Sequence, residues 1–266
     1  MKGRVLIVAG SDSGGGAGIQ ADIKAVTALG GFAMTAITAL TAQNTEGVFG
    51  IHDVPAHFVA QQMKVVLDDI GADCIKIGML HRPDIINAVV DVIDSNSAHV
   101  PVVVDPVMIA KGGASLLAED AMIALKERMI PKASLLTPNL PEAEALAGIT
   151  ASREDQAEEL AGCLMSLGPQ AVLLKGGHRD SDVVQDLLME PGGTTDIFSS
   201  PRINTVHTHG TGCTLASAIS IGLAQGMKLR DAVQRARNYV IDAIKLAPGF
   251  GKGHGPLNHV HTITKI

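Results

Sequence analysis

The sequence has no tryptophan, one tyrosine and only five phenylalanines among its 266 residues. Its core must therefore be aliphatic, and a nucleic-acid surface would lack the rings on which bases stack. Basic residues are also in deficit, with 21 Lys and Arg against 27 Asp and Glu and a formal net charge of -6. A duplex-binding surface normally needs a basic stripe, so we expect no nucleic-acid partner.

Cysteines are few and long apolar runs are absent. Cys74, Cys163 and Cys213 are odd in number and form no CxxC pair, which argues against a disulfide framework or a structural zinc site. No apolar run approaches the roughly 20 residues that span a bilayer, and the run at residues 5–9 is too short for a signal peptide. We expect a soluble, cytoplasmic protein with no membrane partner.

Short apolar runs alternate along the chain with longer segments of helical period. Such alternation predicts βαβ units, and hence an α/β fold whose central sheet is largely parallel and flanked by helices. Hydrophobic residues make up 46% of the chain, enough for a large core. Because no Pro-, Gly- or Ser-rich linker divides the sequence, we expect residues 1–266 to form a single domain.

Polar residues follow several of the predicted strands. Asp105, Thr137, Asn139 and Lys175 each come just after a buried apolar run. Ligands of open parallel sheets bind beyond the carboxyl ends of the strands, so these side chains are expected to converge.

The sharpest motif is His-Gly-Thr-Gly-Cys at residues 209–213, which precedes an apolar helix. Backbone N–H groups of Gly210, Thr211 and Gly212, together with the positive end of the helix, would suit a phosphate. The alternative is a glycine turn capped by Thr211 or Thr214.

Cys213 stands at the start of that helix, where the helix dipole is expected to lower the pKa of its thiol. The thiolate could then act as a general base toward a substrate hydroxyl. Two alternatives stay open: a small buried residue that packs the turn, or a nucleophile with His207 or His209 as its base.

A glycine-rich loop at residues 10–18 follows the first predicted strand. It lacks the GK[ST] ending of a Walker loop and the full dinucleotide spacing. Its backbone can approach a flat small ligand closely, which makes Gly10 and Asp12 candidate substrate-binding residues.

Two further segments carry groups suited to phosphate and metal. Asn139 and Glu142 stand three apart, a spacing that fits either a hydrated Mg²⁺ near phosphates or a helix capping box. Asp105 supplies a second candidate carboxylate for Mg²⁺, or is merely a turn residue. Lys175 and Lys111, each followed by two glycines, are candidate phosphate ligands, Lys111 in a loop that could close over the site.

Eight motifs occur together and in order along nearly the whole chain, and they make the sequence resemble the bacterial hydroxymethylpyrimidine/phosphomethylpyrimidine kinases of the ribokinase-like superfamily. They read VAGSD at 8–12, GGGAGIQADIK at 14–24, TAQNT at 41–45, KIGML at 76–80, VDPVM at 104–108, TPNLPEA at 137–143, LKGGH at 174–178 and HGTGCT at 209–214.

The resemblance implies a three-layer α/β/α kinase that uses ATP and Mg²⁺. It would convert 4-amino-5-hydroxymethyl-2-methylpyrimidine to its monophosphate and then to its diphosphate in thiamine biosynthesis. It also implies a homodimer.

The resemblance assigns the site residues as well. Residues 210–213 would form the anion hole, with Cys213 as base. Gln43 would hydrogen-bond the aminopyrimidine, whose pocket Met79 and Val107 would line. Asn139, Glu142 and Lys175 would serve Mg²⁺ and phosphate.

Three alternatives remain. A pyridoxal or pyridoxine kinase of vitamin B6 salvage shares this fold, and its substrate also carries a hydroxymethyl group. A non-catalytic pyrimidine-binding module would need Gln43 but could lose the anion hole, the metal carboxylates and the base. A cysteine-dependent hydrolase would work without ATP.

Overall fold

The computed structural model describes residues 1–109, 113, 116–118, 120–150, 156–177 and 181–263. Nine strands are found over these residues. They are β1 (Arg4–Asp12), β2 (Phe32–Gln43), β3 (Val48–Asp53), β4 (Cys74–Ile77), β5 (Val102–Val104), β6 (Leu135–Leu136), β7 (Val172–Leu174), β8 (Val183–Met189) and β9 (Thr195–Pro201).

Eight α-helices lie among the described residues. They are α1 (Gly18–Ala28), α2 (Ala56–Asp69), α3 (Pro83–Asn96), α4 (Ala121–Ala124), α5 (Leu140–Ala147), α6 (Ala157–Met165), α7 (Thr211–Ala224) and α8 (Leu229–Lys245). A π-helical turn (Leu125–Met129) and a 3₁₀ turn (Ile130–Lys132) continue α4, and a second 3₁₀ turn (His259–Thr262) follows α8. None of these helices is long and apolar enough to cross a membrane.

The strands form one sheet in the order β3-β2-β1-β4-β5-β6-β7-β8-β9. The six central strands, in the sheet order β2-β1-β4-β5-β6-β7, pair in parallel. β3 at one edge and the β8–β9 hairpin at the other pair antiparallel. The central strands are buried on both faces, which is why they read as unbroken apolar runs in the sequence.

Successive side chains of a strand point to opposite faces of the sheet, and each face is covered by helices. Val5 and Ile7 of β1 join the core beneath α1, α7 and α8. Leu6 and Val8 join the core beneath α2, α3, α5 and α6. This three-layer α/β/α arrangement confirms the fold class predicted from the sequence.

The parallel register brings the carboxyl ends of β4, β5, β6 and β7 to one edge of the sheet. Asp105 directly follows β5, Thr137 follows β6 and Lys175 follows β7. Thr137, Asp105 and Lys175 therefore lie side by side, although they are up to 70 residues apart in the sequence.

Candidate functional site

A cavity of about 690 Å³ lies at this edge of the sheet. The residues assigned to the site from the sequence contribute to its lining, except Lys111, which lies outside the described residues. Thr137, which was expected to converge with them, is buried beside Asp105 and does not line the cavity, and neither do His207 and Thr214. The lining candidates are Gly10, Asp12, Gln43, Met79, Asp105, Val107, Asn139, Glu142, Lys175, Gly210, Thr211, Gly212 and Cys213.

The glycine-rich loop is folded around the carboxylate of Asp12. The backbone N–H groups of Gly14, Gly16 and Ala17 donate to it over 2.8, 3.0 and 2.8 Å. His209 Nε2 lies 2.9 Å from Asp12 Oδ2. Burial raises the pKa of Asp12, but these hydrogen bonds outweigh it and leave that pKa below its usual value. Asp12 thus shapes the wall of the cavity with a carboxylate that is already engaged.

His209 joins this loop to the start of α7. Its ring is buried against Gly16, where even a Cβ atom would overlap it. The next residue, Gly210, has a φ of +80°, and a Cβ there would overlap the Gly16 carbonyl oxygen. The glycines at 16 and 210 are therefore required by the close approach of two loops.

One end of the cavity is apolar. Met79 is buried in a small cluster with Ala39 and Leu116, and Val107 packs against the same cluster. A Cβ at Gly10 would lie 3.0 Å from the sulfur of Met79, so the absence of a side chain at Gly10 keeps this end open.

Gln43 lies beside this apolar end, and its carboxamide oxygen is held by Thr41. The single Thr41 hydroxyl proton is shared between Gln43 Oε1 at 3.1 Å and the Ser11 carbonyl oxygen at 2.9 Å. His209 Nε2, 3.5 Å from Gln43 Nε2, is engaged with Asp12 and offers the amide N–H groups no acceptor. The Gln43 side chain is thereby oriented before any ligand arrives, with an amide that offers both a donor and an acceptor.

The start of α7 supplies the anion-binding geometry. Gly210 is the N-cap and Thr211, Gly212 and Cys213 form the first turn. First-turn N–H groups have no acceptor inside their own helix, and all four residues line the cavity. The Thr211 hydroxyl donates to the Thr208 carbonyl over 3.0 Å and caps no N–H group, and the helix start has no side-chain cap, so the alternative of a turn capped by Thr211 or Thr214 is wrong.

The thiol of Cys213 departs from expectation. Burial raises its pKa to about 12, and the carboxylates of Asp22 and Asp105 add to the rise. Lys76 and the Gly18 N–H oppose it without cancelling it. The prediction that the helix dipole would lower the pKa of Cys213 is therefore wrong, because desolvation of the thiol outweighs the helix dipole.

A cluster of opposite charges faces the start of α7. Lys175 Nζ lies 2.9 Å from Asp105 Oδ1 and 4.0 Å from Glu142 Oε2. A Cβ at Gly212 would be 3.4 Å from Lys175 Nζ and 3.5 Å from Asp105 Oδ2. Burial lowers the pKa of Lys175, but the two carboxylates outweigh it and raise that pKa, so the ammonium stays charged.

Asn139 and Glu142 form a complete capping box at the start of α5. Glu142 N–H donates to Asn139 Oδ1 over 2.9 Å, and Asn139 N–H donates to Glu142 Oε2 over 2.8 Å. Burial raises the pKa of Glu142 to about 7, with Asp105 adding to the rise and Lys175 opposing it. The structural alternative for this motif is confirmed, and the same carboxylate still lines the cavity.

The donor set suits a hydrated Mg²⁺ better than a protein-only metal cage. No group of three or more His, Cys, Asp or Glu able to hold a metal is found among the described residues. Asp105 and Glu142 nonetheless bring two buried carboxylates to the cavity edge beside Lys175. Mg²⁺ bound with phosphates needs only one or two carboxylates, since water and phosphate oxygens complete its shell, so these residues fit it.

Sequence reasoning missed two buried ion pairs at the cavity. Asp186 Oδ2 accepts from Arg237 Nε over 2.9 Å and Asp186 Oδ1 accepts from Gly176 N–H over 2.8 Å, which fixes the loop after Lys175. Lys76 pairs with Asp22 over 2.9 Å. A signal for the second pair was available, since a lysine inside the four-residue apolar strand β4 needs a buried partner.

A doubly covered parallel sheet, a glycine-capped helix start and a charged lysine at the strand ends are together the architecture of a ribokinase-like small-molecule kinase. The family model described as phosphomethylpyrimidine kinase matches residues 12–258. The chain belongs to the phosphomethylpyrimidine kinase family.

Curated relatives agree over nearly the whole chain. It is 52% identical over 97% of its length to the thiamine biosynthesis bifunctional protein ThiED of Geobacter sulfurreducens, and spans about half of that longer protein, 52%. It is 48% identical to the hydroxymethylpyrimidine/phosphomethylpyrimidine kinase of Bacillus subtilis, over 96% of this chain and 94% of that one.

Solved structures of two kinds share the fold. A phosphomethylpyrimidine kinase from Clostridium difficile is 39% identical with a TM-score of 0.81, over 91% of this chain and all (100%) of that one. An ADP complex of Bacillus subtilis pyridoxal kinase is 32% identical with a TM-score of 0.89, over 98% of both chains.

Proposed function

We propose that the protein transfers phosphate from ATP to 4-amino-5-hydroxymethyl-2-methylpyrimidine, and then to the resulting monophosphate, to give the diphosphate used in thiamine biosynthesis. The observation that carries the proposal is a single cavity that combines two parts. Gln43 and Met79 line its apolar end, and the glycine-capped start of α7 lines its anion-binding part. The names of the relatives, quoted above, support the same substrate.

In this proposal the flat pyrimidine occupies the apolar end between Met79, Val107 and Gly10. Gln43 pairs with the amino group and a ring nitrogen, which need one acceptor and one donor. Thr41 sets the direction of the Gln43 amide. The hydroxymethyl group then extends toward Cys213.

Residues 210–213 receive the transferring phosphoryl group. The hydroxymethyl oxygen forms a bond to the γ-phosphorus as the bond from that phosphorus to the ADP oxygen breaks. Cys213 first gives its thiol proton to solvent, and the thiolate then accepts the hydroxyl proton, which restores the neutral thiol, so that each transfer releases one proton to water. Phosphoryl transfer depends mainly on positioning and charge, which the N–H groups of the helix start and Lys175 provide.

Asp105 and Glu142 would hold Mg²⁺, directly or through water, and Asn139 and Lys175 would face the ATP phosphates. Bound Mg²⁺ would supply positive charge to the phosphate oxygens. Lys175 contributes a second positive charge that Asp105 keeps in place. Lys111 stays a candidate phosphate ligand on the Lys-Gly-Gly pattern of the sequence alone.

We further propose that the protein acts in the cytoplasm as a homodimer. The support is the family resemblance of the motifs. Size-exclusion chromatography with light scattering measures the mass directly, and a mass of one chain at micromolar concentration would contradict the dimer.

Pyridoxal kinase is the second candidate, favoured by the close match to the Bacillus subtilis pyridoxal kinase fold. The two activities are separated by ADP release with Mg·ATP and either hydroxymethylpyrimidine or pyridoxal, with products identified by mass spectrometry. We expect the pyrimidine to be converted to mono- and diphosphate. Turnover of pyridoxal alone would overturn the substrate assignment, and a Cys213→Ala preparation controls for contaminating kinases.

A further inference from the structure

A buried ion pair lies beneath the start of α7, and the chemistry above does not use it. Lys76, between Ile75 and Ile77 of β4, is fully buried, and its Nζ lies 2.9 Å from Asp22 Oδ2. Asp22 belongs to α1 and is also fully buried. Burying a lysine and a carboxylate is costly unless each is paired and hydrogen-bonded, so a fully buried pair calls for an explanation.

A third residue fixes the pair relative to Cys213. The hydroxyl of Ser217 donates to Asp22 Oδ1 over 2.7 Å. Ser217 stands four residues after Cys213 on α7, so both side chains lie on the same face of that helix, one turn apart. Lys76 and Cys213 both line the cavity. A side chain at residue 78 would crowd the ammonium, since a Cβ on Gly78 would be 2.9 Å from Lys76 Nζ.

The charges that face the Cys213 thiol come from four elements. Asp22 on α1 and Asp105 after β5 are negative and disfavour the thiolate, while Lys76 on β4 is positive and favours it. Lys175, after β7, is a second cation influenced by the charge of Cys213. Burial lowers the pKa of Lys76, but Asp22, Cys213 and Asp105 outweigh it and raise that pKa, so the ammonium keeps its proton.

Building on the proposed kinase function, we infer that Lys76 is a positioning residue whose ammonium stabilises the thiolate of Cys213, and that Asp22 and Ser217 hold this ammonium in place. The thiolate accepts the hydroxyl proton of the substrate as the new bond to phosphorus forms, which leaves a neutral thiol. Lys76 stays protonated throughout. The ion pair thus offsets part of the desolvation that otherwise keeps Cys213 protonated.

The test measures Cys213 itself, without substrate. The rate of iodoacetamide alkylation at Cys213 is followed by peptide mapping from pH 7.5 to 9.5. The reagent reacts with the thiolate, so the rate reports the thiolate fraction. Alkylation of Cys163, on α6, is the internal control in the same samples.

The variant removes both charges together. Lys76→Met alone leaves Asp22 buried without its partner and can fail to fold, whereas Lys76→Met with Asp22→Asn replaces the whole pair. Thermal unfolding and binding of a non-hydrolysable ATP analogue confirm that the double variant is folded. Ser217→Ala, which keeps both charges, tests the positioning of the pair separately.

Because Asp22 itself disfavours the thiolate, the double variant is compared with Asp22→Asn alone, from which it differs only in the charge at residue 76. We expect Cys213 to be alkylated about ten-fold more slowly in the double variant than in Asp22→Asn at each pH, the effect of one unit of pKa, with Cys163 unchanged. The kcat should be lower in the double variant, with little difference in KM for the pyrimidine. Equal alkylation rates at Cys213 in these two folded variants overturn the inference. If the wild type phosphorylates no pyrimidine, the proposed function fails, and the alkylation rates still decide the coupling of Lys76 to Cys213.

Discussion

Lys175 Nζ and Asp105 Oδ1 lie 2.9 Å apart at the ends of β7 and β5, although the two residues are 70 positions apart in the sequence. Both side chains are largely buried, and the pair faces Gly212 at the start of α7. Asp105 keeps the ammonium charged and fixed at the place where the proposal puts phosphate. The lysine in turn gives the buried carboxylate of Asp105, which lies near the carboxylate of Glu142, an opposite charge.

Replacing Lys175 tests this arrangement. Lys175→Met removes the charged donor to phosphate, and we expect the KM for ATP to rise about ten- to hundred-fold, the value of a charge-assisted hydrogen bond. Lys132→Met is the matched control, because Lys132 forms a partly exposed ion pair with Asp94 away from the cavity. Steady-state kinetics at varied ATP distinguishes them, and equal KM values in both variants would exclude Lys175 from the phosphate site.

Replacing Gln43 tests the substrate end. Gln43→Ala should weaken binding of the pyrimidine by about 1–3 kcal/mol, because a buried amino group would lose its partner. Thr41→Val keeps the Gln43 amide but removes the hydroxyl shared by Gln43 Oε1 and the Ser11 carbonyl, and a smaller loss is expected. Calorimetric dissociation constants in the absence of ATP check both, and an unchanged constant for Gln43→Ala removes that residue from the site.

Most of the fold was predictable because it follows from local patterns. Buried parallel strands read as apolar runs, and the residues just after them had to meet at one edge of the sheet. Asp105, Asn139 and Lys175 were found in this way, and Glu142 was found from its spacing to Asn139. The capping box of Asn139 and Glu142 was predicted as an alternative, and the structure contains it.

Features that depend on depth or on distant contacts were not predictable. The pKa of Cys213 depends on the desolvation of its thiol in the folded protein, and helix-end physics alone gave the wrong direction. The binding of Asp12 to His209 joins loops 197 residues apart, so a carboxylate assigned to substrate is engaged with its own protein. A sequence pattern gives the face on which a residue lies and does not give such long-range partners.

Removing the thiol tests the base. Cys213→Ala should lower kcat about 10²-fold or more, the usual contribution of a positioned general base, while the pyrimidine still binds. Cys163→Ala is the control, since Cys163 lies on α6 and does not line the cavity. Turnover of Cys213→Ala near the wild-type rate would refute a role for the thiol as proton acceptor.

Acid stability should depend on His259. Burial lowers the pKa of His259 to about 4, with Lys24 and His261 adding to the effect, and Tyr239 hydrogen-bonds its Nδ1 over 2.9 Å. The unfolded chain takes up the proton near pH 6.5, well before the folded protein does. Stability should therefore be lost as the pH falls from about 6.5 to 4, by on the order of 2–3 kcal/mol.

Urea unfolding at pH 7.5 and 4.5 checks this dependence. His259→Gln should show a smaller loss of unfolding free energy between the two pH values than the wild type. His57→Gln changes an exposed histidine on α2 and should leave the loss as it is. If His259→Gln loses as much stability as the wild type, another group governs the acid limb.

Comparing Gly210, at the start of α7, with Gly226 separates the effect of backbone strain from the effect of a close contact between two loops. Gly210 and Gly226 have φ values of +80° and +83°, so an alanine is strained by its conformation at either position. A Cβ at Gly226 meets no atom within 4 Å, whereas at Gly210 it overlaps the carbonyl oxygen of Gly16. Gly226→Ala should cost about 1 kcal/mol of unfolding free energy and leave kcat unchanged.

Gly210→Ala should cost about 1–3 kcal/mol more of unfolding free energy, because the two loops must separate. It should also abolish most turnover, because the N–H groups that would bind phosphate are displaced. Equal kinetics in the two variants would mean that the contact between Gly210 and Gly16 does not shape the anion site.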